Sequence, residues 1–317
     1  MTSSHRERVV LRTGIKISKF GLGTAAFGGL YRHVPEEDCA NTVARAFELG
    51  ITYLDTAPHY GKGIAESRLG NILAKSDSAE FQISSKVGRL LDPVEYEADE
   101  YFFDADLRKT RTYDYSRAGV ERSIKDSLER MQLDRIDIVF IHDPEGNEEV
   151  AIKEAAPALE KLRDSGYINA FGIGMNICET PTRFIKETDV DVVLIAGRFS
   201  LLDQSAQNEL LPTAKSRGVD VIAAGVFNSG LLADPKLNST YDYIPAPESI
   251  IQRARKLKSL AQSYGISIQA AAMQFPLRND AVKGILVGCR CEKELDENVR
   301  AFNEVIPEDF WFEAGIG

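Results

Sequence analysis

Eight short apolar runs, each followed by a stretch of helical period, constrain this chain more than any other feature. The runs are "SKFGLGTA" (18–25), "TYLDTA" (52–57), "FQISSKV" (81–87), "IDIVFIH" (136–142), "INAFGIGM" (168–175), "DVVLIAG" (191–197), "VDVIAAGVF" (219–227) and "KGILVGC" (283–289). Between them lie stretches such as "PEEDCANTVARAFELG", "SRAGVERSIKDSLERMQ" and "SAQNELLPTAKSRG". In the second of these, Val120, Ile124, Leu128 and Met131 recur at helical spacing and place charges on the opposite face. Gly50, Gly166 and Gly218 stand where helices should stop. Eight strand–helix units without a linker predict one domain over residues 1–317, a (β/α)8 TIM barrel; an open doubly wound sheet is the rival. The early "VVLRTGIKIS" reads as a β-hairpin turning at Gly14 and closing the barrel bottom.

Charge narrows the partners. The formal net charge of −10 argues against nucleic acid or an anionic membrane surface, and leaves a small molecule as the expected partner. "MTSSHRERVVLRTG" carries no apolar core of signal-peptide length, and no run approaches the ~18 apolar residues of a membrane span. Cys39, Cys178, Cys289 and Cys291 are scattered; "GCRCE" lacks the second pair or the histidines of a zinc site. Free thiols in a cytoplasmic protein, with no metal, are expected. No heptad run predicts obligate assembly, so a monomer or weak homo-oligomer is expected.

Two connections break the short-loop rule: "GRLLDPVEYEADEYFFDADLRKTRTYDYS" after the third run, and "FNSGLLADPKLNSTYDYIPAP" after the seventh. Both leave the C-terminal mouth of a barrel, where such folds place chemistry, and both carry aromatics. They are expected to cover a ligand. Tyr101, Asp104, Asp106, Arg108 and Tyr113 of the first are expected to be mostly solvated.

At that mouth the apolar runs end in polar residues. Asp55 ends the second strand, Lys86 the third and His142 the fourth; Tyr60 follows five residues after Asp55. Adjacent strands lie about 4.8 Å apart, so these side chains should crowd together. Each alone has a structural explanation: Asp as a cap, Lys reaching to solvent, His as a satisfied core residue, Tyr as loop packing. Together they suit proton transfer. A phenol has a pKa of about 10, and a nearby ammonium lowers it. Asp55 would keep Lys86 charged, and His142 would orient the reacting oxygen in a C–OH/C=O interconversion. Hydride needs another carrier. Neither "GLGTAAFGG" nor "GIGMN" completes the dinucleotide fingerprint, so a nicotinamide would lie extended across the barrel mouth.

"GLGTAAFGG", "YLDTAPHYGKGIAESRLG", "ISSKVG" and "DRIDIVFIHDPE" resemble the aldo-keto reductase superfamily, in order and over nearly the whole chain. The resemblance implies the barrel, a nicotinamide cofactor and catalytic roles for Asp55, Tyr60, Lys86 and His142. It also implies cofactor contacts from Gly23, Thr24, Asp55, Asn176, Phe227, Asn228, Ser229, Gly230, Leu231, Arg290, Glu297 and Asn298. Substrate contacts fall to His59, Tyr60 and His142. The branch most similar, on "AGRFSLLDQSA", "AAGVFNSGLLA" and "FGIGMN", is that of the aldose 1-dehydrogenases, with L-galactose and pyridoxal 4-dehydrogenases as relatives.

Three positions depart from the wider family. A Ser–Asn pair after the fifth strand reads Gly174–Met175, a glutamine on the sixth reads Leu194, and the nicotinamide-stacking tyrosine reads Ala224. Phe227 and Met175 are the apolar alternatives. Aligning Glu297–Asn298 puts Gly288 and Glu294 where relatives that use NADPH carry a lysine and an arginine. A carboxylate repels the 2′-phosphate, so NAD is expected over NADP, with Arg290 and Lys293 nearby. The leading expectation is oxidation of the anomeric hydroxyl of a free aldose (L-fucose, D-arabinose or L-galactose type) to the lactone. Oxidation of the pyridoxal hemiacetal and general carbonyl reduction are alternatives. A nucleotide-sensing regulatory subunit is the reading from another class. Trp311 is expected to pack a C-terminal tail.

Overall fold

The computed structural model describes residues 4–76, 80–236, 240–242 and 244–316. Eight parallel strands close a barrel: β1 (Phe20–Gly23), β2 (Tyr53–Asp55), β3 (Gln82–Val87), β4 (Ile136–His142), β5 (Ile168–Met175), β6 (Val192–Ala196), β7 (Asp220–Ala224) and β8 (Val282–Gly288). β8 returns to β1 through Gly288 opposite Gly23, so no sheet edge is left open. The helices between them are α1 (Glu36–Glu48), α2 (Ile64–Leu73), α3 (Arg117–Met131), α4 (Ala156–Asp164), α5 (Glu179–Glu187) and α6 (Leu210–Arg217). α7 (Glu248–Ser263) and α8 (Ile268–Gln274) double the seventh connection; α9 (Glu292–Phe302) and α10 (Glu308–Glu313) follow the last strand.

Why the runs are apolar throughout follows from the closure. Ile138, Phe140, Val192, Leu194, Ile222 and Leu286 point into the barrel. Their neighbours Val139, Ile141, Val193, Ile195, Val221 and Val287 pack outward under the helices. Alternation has no polar phase because both faces are buried. The hairpin Arg8–Val10/Lys16–Ser18 closes the bottom, turning through Gly14 at φ +88°. Its Leu11, Ile15 and Ile17 plug the inward cluster, and burying Ile17 alone contributes roughly 1.5–3 kcal/mol.

Helix ends follow the local chemistry. The Ser116 hydroxyl accepts the Gly119 N–H at the start of α3, and Val120, Ile124 and Met131 are buried while Leu128 is half-buried. Gly218 adopts φ +65° to end α6, a conformation that only glycine reaches cheaply.

The connection after β3 is more ordered than its sequence implies. Arg89–Pro93 and Lys109–Tyr113 pair as an antiparallel ribbon. Leu90 and Leu91 are buried on it, and Lys62, fully buried, donates to the Glu97 carboxylate at 2.8 Å. Asp104, expected in solvent, is half-buried with its carboxylate covered, paired with Arg68 at 2.9 Å and with His33, and accepting the Val34 N–H. The connection after β7 contributes a two-residue ladder, Thr240–Tyr241 with Ile244–Pro245. Arg198 at the end of β6 holds it through Asp242. Trp311 is buried on α10 beneath the Arg278 guanidinium, away from the mouth.

Candidate active site

Strand stagger, more than strand adjacency, brings the polar ends together. Asp55 is level with Ser84, Lys86 with Phe140, and His142 with Gly174. Each successive side chain therefore stands two residues further along its own strand, following the barrel shear. On β3, Ser84 and Lys86 point inward while Ser85 turns out to the Glu66 carboxylate of α2 at 2.7 Å.

Asp55 is saturated within the barrel. Its Oδ1 accepts the Ser84 hydroxyl at 2.6 Å, itself 3.0 Å from the Tyr53 hydroxyl, and its Oδ2 accepts Lys86 Nζ at 2.8 Å. A second Lys86 proton goes to the Thr56 carbonyl at 2.8 Å. The remaining direction faces Tyr60: Lys86 Nζ stands over its ring, 4.8 Å from the centroid.

Tyr60 reaches this position through a strained turn. Gly61, Lys62 and Gly63 all adopt positive φ. A Cβ on Gly61 would lie 2.7 Å from the Gly28 Cα, so this close crossing of two loops requires glycine. Phe102, from the tip of the ribbon, stacks on the Tyr60 ring with centroids 6.1 Å apart.

The protonation states separate cleanly. Burial pulls the Lys86 pKa down, but Asp55 and Tyr60 together outweigh it, and the net direction is up. Burial also raises the Tyr60 phenol, beyond what Lys86 offsets. The expectation of a lowered Tyr60 pKa is thus corrected. The ammonium is the largest influence in the lowering direction, but desolvation of the anion exceeds it. In this state Tyr60 is a protonated phenol. His142 falls well below the usual imidazole range through burial, with Arg89 and Lys86 adding to the effect, and is neutral. Among the described residues its Nδ1 is buried without a partner. His59 is pushed down to about 2 by burial and by Arg89 and Arg111. Arg89 Nη1 donates to His59 Nδ1 at 3.1 Å, which fixes the His59 proton on Nε2.

A groove of about 710 Å³ runs from Asn176 and Ala196, past Phe227 and Asn228, to Arg290, Glu294 and Gln269. Of the residues expected at a cofactor, Asn176, Phe227, Asn228, Ser229, Gly230, Arg290, Glu297 and Asn298 line it. Gly23, Thr24, Asp55 and Leu231 do not. Gly23 pairs with Gly288 and Asp55, and Thr24 spends both its N–H and its hydroxyl on the Asp55 carbonyl. Leu231 is buried, with its N–H on the Asn228 carbonyl. Met175, an alternative stacking residue, packs outward with the helices; Phe227 lines the groove.

The groove fits an extended dinucleotide. Asn228, Ser229 and Gly230 are successively left-handed, and among the described residues neither the Ser229 nor the Gly230 N–H meets a backbone carbonyl. Asn228 Oδ1 is buried without a partner while its Nδ2 holds the Gly197 carbonyl at 3.2 Å. Turned N–H groups beside an orphaned amide oxygen form a concavity suited to an anionic, hydrogen-bonding ligand. At the far end Glu294 accepts from Arg290 Nε at 2.9 Å and from the Arg290 N–H at 2.9 Å.

A closed parallel barrel carrying a buried Asp–Lys–Tyr chain and a neutral histidine at its C-terminal mouth, beside a dinucleotide-sized groove, defines an NAD(P)-dependent oxidoreductase. The chain belongs to the aldo/keto reductase family, whose profile matches residues 19–313. It is 37% identical over 321 residues to the D-threo-aldose 1-dehydrogenase of a Pseudomonas species, covering 98% of this chain and 97% of that one. It is also 37% identical to the pyridoxal 4-dehydrogenase of Microbacterium luteolum, covering 96% and 95%. The L-galactose dehydrogenase of Arabidopsis thaliana is 31% identical, covering 94% and 88%. Among the described residues no helix is long and apolar enough to cross a membrane.

Residues around the tetrad were harder to read from sequence. Arg89, Phe102, Asp143 and Tyr115 all touch it or its neighbours. Asp143 follows His142 directly and Arg89 comes three residues after Lys86, so proximity in sequence was the available signal. Phe102 lies on the long ribbon, whose only signal was its length and its aromatics.

Proposed function

We propose that the protein is an NAD-dependent dehydrogenase that oxidises the anomeric hydroxyl of a free aldose to the lactone. The observation that carries this reading is Lys86 Nζ 4.8 Å over the Tyr60 ring, with His142 edge-on to that ring at 6.2 Å. Tyr60 takes the hydroxyl proton, with Lys86 stabilising the phenolate just before transfer and Asp55 holding Lys86 in place. His142 donates a hydrogen bond to the same oxygen. The nicotinamide supplies the hydride-accepting chemistry when bound: the C1 hydrogen leaves with its electron pair as the C–O bond becomes C=O.

Two of the three relatives are named for aldoses, which supports the sugar class. Equal identity to the pyridoxal 4-dehydrogenase keeps a second reading open, because pyridoxal presents a cyclic hemiacetal of the same kind. NAD is favoured because the Arg290 fork is already engaged by Glu294, and a 2′-phosphate there would meet that carboxylate. A cytoplasmic monomer or weak homo-oligomer fits four unpaired cysteines. The deciding measurement is nicotinamide absorbance with NAD and L-fucose, D-arabinose, L-galactose or pyridoxal. Reduction by pyridoxal alone moves the assignment to the second reading, and silence from all four removes both.

A further inference from the structure

A smaller cavity of about 290 Å³ opens beside the tetrad, lined by Arg89, Tyr113, Asp143, Glu145, Asn147 and Asn176. Asn176 also lines the long groove, so the two spaces meet at that residue. Asp143 Oδ2 lies 3.5 Å from His142 Nε2, which places this cavity on the reacting side.

The lining is chemically specific. Arg89 cannot swing: Nη1 is held by His59 at 3.1 Å, Nη2 by Asp143 at 2.5 Å, and the guanidinium lies over the Tyr113 ring at 5.4 Å from its centroid. Its Nε is buried without a partner among the described residues. Against this one cation stand two carboxylates, Asp143 and Glu145. The wall therefore sets one cation against two carboxylates, and the arginine's charge is already matched by Asp143. A phosphate or carboxylate substituent would be repelled. Vicinal hydroxyls meet acceptors on Asp143 and Glu145 and amides on Asn147 and Asn176, while Tyr113 offers an apolar face to C–H groups.

We propose that Arg89, Asp143 and Glu145 are specificity-determining residues that select neutral, polyhydroxylated substrates and exclude phosphorylated ones. The sugar class rests on the aldose reading above; the charge selection stands on the cavity itself. The test compares kcat/KM for D-arabinose and D-arabinose 5-phosphate, and, in the reducing direction, for glyceraldehyde and glyceraldehyde 3-phosphate. Wild type favours each neutral partner by about 100-fold, the scale of a like-charge contact. In Asp143→Asn/Glu145→Gln that ratio falls by about tenfold or more, with KM for the neutral substrate rising. Glu145→Gln alone, at an exposed rim position, keeps the test available should the double variant not fold, as checked by quenching of protein fluorescence by NADH. A ratio unchanged in the variants, or a wild type indifferent to phosphate, overturns the proposal. If D-arabinose is inert while the glyceraldehyde pair still discriminates by charge, the aldose reading fails and the selection survives.

Discussion

Lys86 Nζ lies 2.8 Å from Asp55 Oδ2, with both groups buried inside the barrel mouth. Both side chains are withdrawn from solvent, so the ammonium is compensated chiefly by this carboxylate. Lys86→Met leaves Asp55 charged and alone. Removing one member of a buried pair costs about 3–5 kcal/mol. Urea unfolding should show that loss, and turnover should fall with it; a variant as stable as wild type would mean the carboxylate is solvated in ways this geometry does not contain.

Tyr60 carries the proton in the proposed reaction. Tyr60→Phe removes only one oxygen and keeps the stack on Phe102. Turnover should drop by about 10²–10⁴-fold, the scale of general acid–base catalysis, while NADH still quenches protein fluorescence. Because the wild-type phenol is raised above its usual value in this state, oxidation should accelerate as pH rises and reduction should be favoured as it falls. Opposed limbs in the two directions, measured on one enzyme preparation, are the expected outcome.

Gly61 links the backbone to this chemistry. It combines φ +62° with a 2.7 Å approach of any Cβ to Gly28. Gly61→Ala must shift the Tyr60 turn, at a cost of about 1–3 kcal/mol for the strained conformation. kcat should fall more than the melting temperature suggests.

The readable part of this molecule was what repetition and strand ends encode. Period-2 alternation vanished from the sequence because Val139 and Phe140 are both buried, on opposite faces, yet continuous runs of such residues still marked the strands. Asp55, Lys86 and His142 were legible because a charge at the end of an apolar run has few other places to go. The ribbon after β3 was not. Its stability comes from Lys62–Glu97, Arg111–Asp99 and Arg68–Asp104, contacts between residues too far apart in sequence to leave a local pattern. The same holds for the Tyr60 pKa: burial depends on what Phe102 and its neighbours cover, and sequence proximity to Lys86 gave only one of the two opposing influences.

Acid sensitivity follows from two histidines held neutral. His59 is lowered to about 2 and His142 lies well below its ordinary value, chiefly through burial. The unfolded chain protonates both near pH 6.5, whereas the folded one does not. Below that pH the unfolded state binds more protons, so stability is complete above about 6.5 and declines as pH falls, by up to ~1.4 kcal/mol per pH unit for each histidine. His59→Gln should remove one proton from the slope of stability against pH between 6 and 4. An unaltered slope would mean that His59 is protonated in the fold.

Under the proposed NAD reading, Glu294 sets the charge at the far end of the groove. It holds Arg290 through Nε and the backbone N–H, and Arg32 approaches the same carboxylate at 3.5 Å. In wild type the Arg290 fork is engaged and a carboxylate stands beside it, so under the proposed reading KM should favour NAD over NADP by about tenfold or more. Glu294→Ala removes the repulsion and releases Arg290 in one step. The two effects act together, and the NADP KM should fall while the NAD KM changes little or rises. Glu294→Gln removes the charge but leaves an acceptor for Arg290, and should give an intermediate preference. If both variants keep the wild-type ratio, discrimination at this groove comes from its shape, and the Arg290–Glu294 pair is only a structural clamp on the start of α9.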